Sequence, residues 1–144
     1  MGREILFRGK RIDNGKWIEG SHCPKKTGHY EGDKFVEETQ HLIIVNMTGG
    51  GYQYADVDLE TVCEYTGLAD KNGRKIFEGD IVTGLFNSQP ITGYIKYGSN
   101  ARYFIEREGL YGIYLDNARD WLEVIGNIFD NPELLEVHNE KENR

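Results

Sequence analysis

Apolar residues in this chain come in short runs of roughly four to eight, often β-branched or aromatic, separated by glycine-containing turns and lacking any sustained 3.6-residue period. The pattern predicts strands. Ile5-Leu6-Phe7 leads into Ile12-Asp13-Asn14-Gly15-Lys16-Trp17-Ile18, where Asn-Gly is expected to supply the positive φ angles of a two-residue hairpin turn. An apolar strand follows at His41 to Val45. Gly49-Gly50-Gly51 after it is expected to be a mobile loop, because glycine loses the most backbone entropy on ordering. A second hairpin turns at Asn72-Gly73 and continues through Lys75-Ile76-Phe77, and a turn at Glu78-Gly79-Asp80 opens the strand Ile81-Val82-Thr83. Further strands are expected at Thr92 to Tyr97, Arg102 to Arg107, Gly112 to Leu115 and Leu122 to Phe129. Asp130-Asn131 then offers a helix N-cap, with Pro132 suited to the first helical position and Glu133 to the first turn, so a short helix is expected through about Val137.

Short strands joined by tight turns and closed by a short helix make the layout of a small barrel, which hides its edges by curling. The expected organisation is mainly β. Residues 1–62 form an N-terminal hairpin and strand region with the Gly-rich loop, residues 63–137 the barrel, and residues 138–144 a polar tail that frays. The segment NGKWIEG at Asn14 to Gly20 echoes NGRKIFEG at Asn72 to Gly79. Hairpins reuse the same turn chemistry, and that explains the echo better than duplication does.

Three motifs in order, REILFRGKRIDNGKWIEG from Arg3, YTGLADKNGRKIFEGDIV from Tyr65 and EVIGNIFDNPELL from Glu123, resemble the YopX-like proteins of bacteriophages and prophages. The resemblance implies an SH3-like barrel in the C-terminal half, a phage or prophage origin, a bacterial cytoplasm and self-assembly. It supplies no catalytic residues, because the family has no established activity.

Composition narrows the function. A compact fold of 144 residues buries roughly two-thirds of its unfolded surface, so staples are not required. A formal charge of −7 repels a bare polyphosphate surface on average. The two cysteines, Cys23 and Cys63, lie far apart, and the first twenty residues hold no long apolar run, so a reducing cytoplasm and no membrane span are expected. Residues 1–16 carry Arg3, Arg8, Lys10, Arg11 and Lys16 against Glu4 and Asp13, a balance of +3; from Asp116 onward eight acids face three bases, a balance of −5. Complementary fields of this kind orient the encounter of one subunit with another, and a homo-oligomer is expected.

The candidate interaction surface is Tyr94, Lys96, Tyr97, Arg102, Tyr103 and Tyr111, serving association with the chain itself and with a host or phage protein. The alternative is a nucleic-acid-binding barrel. Lys96, Arg102 and Arg107 stand against Glu106 alone between Thr83 and Arg107, interleaved with rings on which bases could stack. Strand alternation turns about half of those rings inward, and three bases neutralise few phosphates, which disfavours it. No phosphate loop, serine elbow or Cys-x-x-Cys motif is present, so neither an enzyme nor a cofactor is expected. The best metal-like cluster, His22, Cys23 and His29 with His41 or Cys63, matches no strong zinc spacing, and no metal is expected. Glu78 with Asp80, and Asp116 with Asp120, are better explained as turn acids that cap backbone amides than as acid-base pairs. Trp17 and Trp121 are expected to anchor the core.

Overall fold

Residues 3–136 are those the computed structural model describes, and among them eleven strands are all paired antiparallel. The expected helix end at Val137 and the tail 138–144 lie outside the described residues. The chain divides into two compact units, Met1–Glu64 and Tyr65–Arg144.

The first unit contains β1 (Phe7–Lys10), β2 (Trp17–Glu31), β3 (Lys34–Asn46), β4 (Tyr52–Asp56), a 3-10 turn at Leu59–Thr61 and the start of β5 (Cys63–Ala69), with spatial order β4-β3-β2-β1-β5. The β1–β2 connection is wider than the two-residue turn expected at Asn14-Gly15. Lys10↔Trp17 is the last strand pair, Gly15 N–H donates to Arg11 O at 2.9 Å, and Gly15 alone of the connection has positive φ. Asn14 is diverted: its Oδ1 accepts the Lys16 amide at 2.9 Å, an Asx turn that competes with the tighter geometry.

The apolar run at His41 to Val45 is only the inner end of β3. From Ser21↔Ile44 to Glu31↔Lys34, β2 and β3 pair over eleven positions, closed by Gly32-Asp33 with Gly32 at φ 64°, as a type II′ turn requires. This ribbon is half-buried where Leu42 and Ile44 flank the fully buried Ile43, and from Pro24 to Glu31 only Thr27 is not exposed. Near its tip the Phe35 ring covers Gly28 so closely that a Cβ there would stand 2.2 Å from Cζ, and Tyr30 meets Phe35 edge-on at 5.2 Å. Trp17 is not a core anchor. It is half-buried, and the Arg8 guanidinium lies over its ring at 4.6 Å. Gly49-Gly50-Gly51 forms a hydrogen-bonded turn in which all three residues have positive φ and Met47 N–H donates to Gly51 O at 3.1 Å.

The second unit takes up β5 at Tyr65 and continues with β6 (Lys75–Phe77), β7 (Asp80–Phe86), β8 (Gln89–Tyr97), β9 (Tyr103–Glu106), β10 (Ile113–Tyr114), α1 (Ala118–Trp121) and β11 (Glu123–Asn127). Its larger sheet has the order β10-β9-β8-β7-β11. Closure into a barrel is not seen among the described residues. β10 makes two residue pairs, with β9 alone, and β11 pairs with β7 alone, so these edge strands do not meet in a ladder. One side of the sheet holds the core, Ile76, Val82, Ile91, Ile95, Ile105, Leu115, Ala118, Leu122 and Val124, with Tyr103, Ile113 and Trp121 packed against it.

Asp70 ties this unit together. It sits just before the Asn72-Gly73 turn, is 2% exposed, and accepts the amides of Asn72 and Arg74 through Oδ1 and of Val124 through Oδ2, all at 2.9 Å. Burial raises its carboxyl, but the donors Val124, Arg74 and Asn72, with the charge of Arg74, outweigh that and leave the pKa below its ordinary value. After β11, Asn127 Oδ1 accepts the amides of Phe129 and Asp130, and Asn131 Oδ1 turns back to the Asn127 amide instead of capping the helical turn at residues 133–136.

A candidate interaction groove

In the second unit the β7–β8 turn, the loop entering β10 and α1 enclose an open groove of about 730 Å³. Its apolar lining is Leu85, Phe86, Ile113 and Trp121, with Tyr111 and Tyr114 beside them. Leu85 is 65% and Tyr111 93% exposed, whereas Trp121 rests on the core and meets Phe86 at 5.5 Å between ring centroids. Two features fix the walls. Trp121 Nε1 donates to Asp116 O at 3.2 Å, and Arg107 donates to Tyr111 O at 2.9 Å. The β7–β8 turn places Asn87 and Ser88 consecutively at positive φ, 50° and 65°, although neither is glycine. The charged lining residues are Asp116, Asp120 and Arg107, a formal balance of −1.

The six residues marked by the sequence do not converge on one site. Tyr97 pairs with Tyr103 across the β8–β9 ladder, rings 5.0 Å apart, on the sheet face that carries Ile95 and Ile105; Tyr103 packs on the core. Tyr94 and Lys96 alternate onto the opposite face, and Lys96 lines a smaller hollow of about 500 Å³ with Phe104 and Tyr114. Arg102 lies over the Tyr114 ring at 3.5 Å and reaches Asp116 at 3.2 Å. Tyr111 alone of the six lines the larger groove. Phe86 is among the rings between Thr83 and Arg107 on which bases could stack, and Trp121 rests on the core as expected; Leu85 was missed as a surface residue because an apolar strand end looks like core in a sequence, and the signal that could have found it is the Asn87-Ser88 turn, which ends β7 just after Phe86.

The metal-like cluster is also dispersed. His22 Nε2 lies 3.0 Å from Nδ1 of His41 across the β2–β3 ribbon, Cys23 alternates onto the other face, and His29 pairs with Glu31 at 3.2 Å near the tip. Among the described residues no three His, Cys, Asp or Glu side chains gather as a metal site. Burial, with the neighbouring His41, lowers the His22 pKa. Of the turn acids, Asp80 is buried and accepts the Phe77 amide at 2.8 Å, while Asp116 and Asp120 border the groove. No helix among the described residues is long and apolar enough to cross a membrane.

With this geometry in place, comparison with known proteins decides the family. The model for the YopX protein matches residues 6–136. The chain belongs to the YopX family. Among solved structures it is similar to the crystal structure of protein EF1440 from Enterococcus faecalis, with 24% identity, a TM-score of 0.50, and coverage of 93% of this chain and 99% of that one. That likeness concerns the fold. Comparison with curated proteins finds no match. Family membership thus spans both units, including the exposed β2–β3 ribbon and the groove.

Proposed function

We propose that this YopX-family chain is a non-enzymatic protein-association module of phage or prophage origin, working in a bacterial cytoplasm. It associates with itself, and its second unit takes a segment of a partner protein in the groove. The observation that carries the reading is the gathering of Leu85, Phe86, Tyr111 and Trp121 around one open concavity, since clustered exposed apolar side chains on a surface mark contact with another protein. The excess of one carboxylate in the lining suits a segment with an apolar side chain next to lysine or arginine. An SH3-like path for the larger sheet, four strands in sequence and a fifth returning beside the first after a helical turn, is part of this reading and is supported by the order β10-β9-β8-β7-β11 with α1 before β11. Nucleic-acid binding is less favoured, because Arg102 and Arg107 are engaged with Asp116 and the Tyr111 carbonyl.

Native mass by light scattering after size exclusion, at two protein concentrations and with the absorbance ratio recorded, tests the association. An oligomer free of nucleic acid is expected. A monomer that retains nucleic acid overturns the reading in favour of the alternative. For the groove, a peptide array of apolar residues flanked by arginine should bind the native chain and lose binding to Leu85→Asp; equal binding by both excludes the groove as the site.

A further inference from the structure

The outer half of the β2–β3 ribbon has no neighbour among the described strands on the β2 side, since β1 covers only Trp17 to Gly20. We infer that a second copy of this chain occupies that edge, the two β2 strands pairing antiparallel about Gly28. This deepens the self-association proposed above and rests on it.

A two-residue hairpin loop closes on a hydrogen-bonded pair, here Glu31↔Lys34, so by alternation Tyr30, Gly28 and Lys26 turn their backbone groups away from β3. An edge with such groups is a template for another strand, and proteins usually block it with lysine or proline. Pro24, Lys25 and Lys26 fit that guard, yet the rest of the segment, Lys25-Lys26-Thr27-Gly28-His29-Tyr30-Glu31, is complementary to itself. With Gly28 on the two-fold axis, Lys25 of each copy faces Glu31 of the other, Lys26 faces Tyr30, and Thr27 faces His29. Opposite charges directly across an antiparallel pair stabilise it, and a lysine over a tyrosine ring adds a cation–π contact. Gly28 has a further role at the axis: Phe35 of its own chain covers it, so that face of the ribbon is closed by an aromatic ring where the two strands meet. At the β3 edge, pairing about Val36 also sets Lys34 opposite Glu38, but it places Phe35 opposite Glu37, where the β2 edge sets a lysine opposite a tyrosine ring.

Lys25 and Glu31 are exposed, so their reversal leaves the fold intact. Native mass and the dissociation constant would be measured for the full chain, Lys25→Glu, Glu31→Lys, the double variant, and an equimolar mixture of the two single variants. Each single variant places like charges at both symmetric positions and should weaken the dimer roughly tenfold or more. The double variant should restore it, and the mixture should form a heterodimer, because all its cross-copy pairs are again opposite in sign. If the native chain oligomerises and both single variants match it, the β2 edge is not the interface, while self-association stands. A monomeric native chain at all concentrations overturns both.

Discussion

The two units use strands in opposite ways. In the second, β7, β8, β9 and β11 direct alternate residues into a shared core, and Ile76, Ile95, Ile105, Val82 and Leu122 have essentially no solvent exposure. In the first, the longest pair of strands leaves its outer half exposed on both faces, with Tyr30 72% and Phe35 52% accessible. An isolated two-stranded ribbon is marginal in water, so the outer ribbon gains little from its own contacts and is suited to meeting another molecule. The second unit, by contrast, is stabilised from within, and its groove lies against that packed core through Ile113 and Trp121.

Mutation of matched large residues puts the greatest strain on this comparison. Leu122→Ala should cost about 2–5 kcal/mol, as for a buried leucine whose cavity cannot fully collapse. Tyr30→Ala should change stability by no more than about 0.5 kcal/mol, as at exposed positions generally. Urea unfolding of both variants, at concentrations where the chain is monomeric, reads the difference. Comparable losses would mean that the ribbon is integral to the fold of its unit.

Asp70→Asn is the next largest perturbation. An amide cannot offer acceptors to Val124 on one side and to Asn72 and Arg74 on the other, so about 1–3 kcal/mol should be lost. The pH dependence follows from the lowered carboxyl pKa. Between the unfolded value, about 3.9, and the lower folded value, the unfolded chain binds more protons. The stability contributed by Asp70 is therefore complete above that window and lost as pH falls through it. Asp70→Asn should flatten the acid limb of a pH–stability profile there; an unchanged limb would assign acid sensitivity to other carboxylates.

How legible each region was depends on where its stabilising contacts lie. The second unit could be placed closely, since Ile81-Val82-Thr83, Thr92 to Tyr97 and Leu122 to Phe129 are β-branched or aromatic runs bounded by turn residues, as strands with little exposed surface are. The ribbon was hidden, because Lys25 to Glu31 and Lys34 to Gln40 bury neither face and leave no period to detect. Asp70 carries no signal of its role in the sequence. Its bond to Val124 spans 54 residues and depends on tertiary placement. The echo between Asn14 and Asn72 was legible as turn chemistry, but its closing glycines differ: Gly79 turns at φ 85°, whereas Gly20 lies within β2 where a Cβ would meet Ile44 O.

A smaller effect separates the units by pH. His22 belongs to the first unit, and its lowered pKa means that protonation is harder in the folded state. Below the ordinary histidine value of about 6.5 the unfolded chain takes up the proton first, so stability should fall as pH drops from there and level off below the folded value. His22→Gln should remove this component without altering the Asp70 limb. A native profile flat between pH 7 and 5 would contradict it.

The smallest expected change lies at the edge of the groove. Ser88 follows Asn87 in left-handed geometry, where a side chain other than glycine is strained, whereas Asn-Gly is the favoured pair for such a turn. Ser88→Gly relieves that strain but frees the unfolded chain, a loss of the opposite sign. The net gain should be about 0.5 kcal/mol, or about 2–4 °C in melting temperature. Its value lies in what else moves. Asn87 lines the groove, and strain held beside a binding surface persists when it sets the shape of that surface. If Ser88→Gly is more stable yet captures arginine-flanked peptides less well than the native chain, the strained turn shapes the groove. If stability rises and capture is unchanged, the groove depends on Leu85, Phe86, Tyr111 and Trp121 alone, and the turn merely joins two strands.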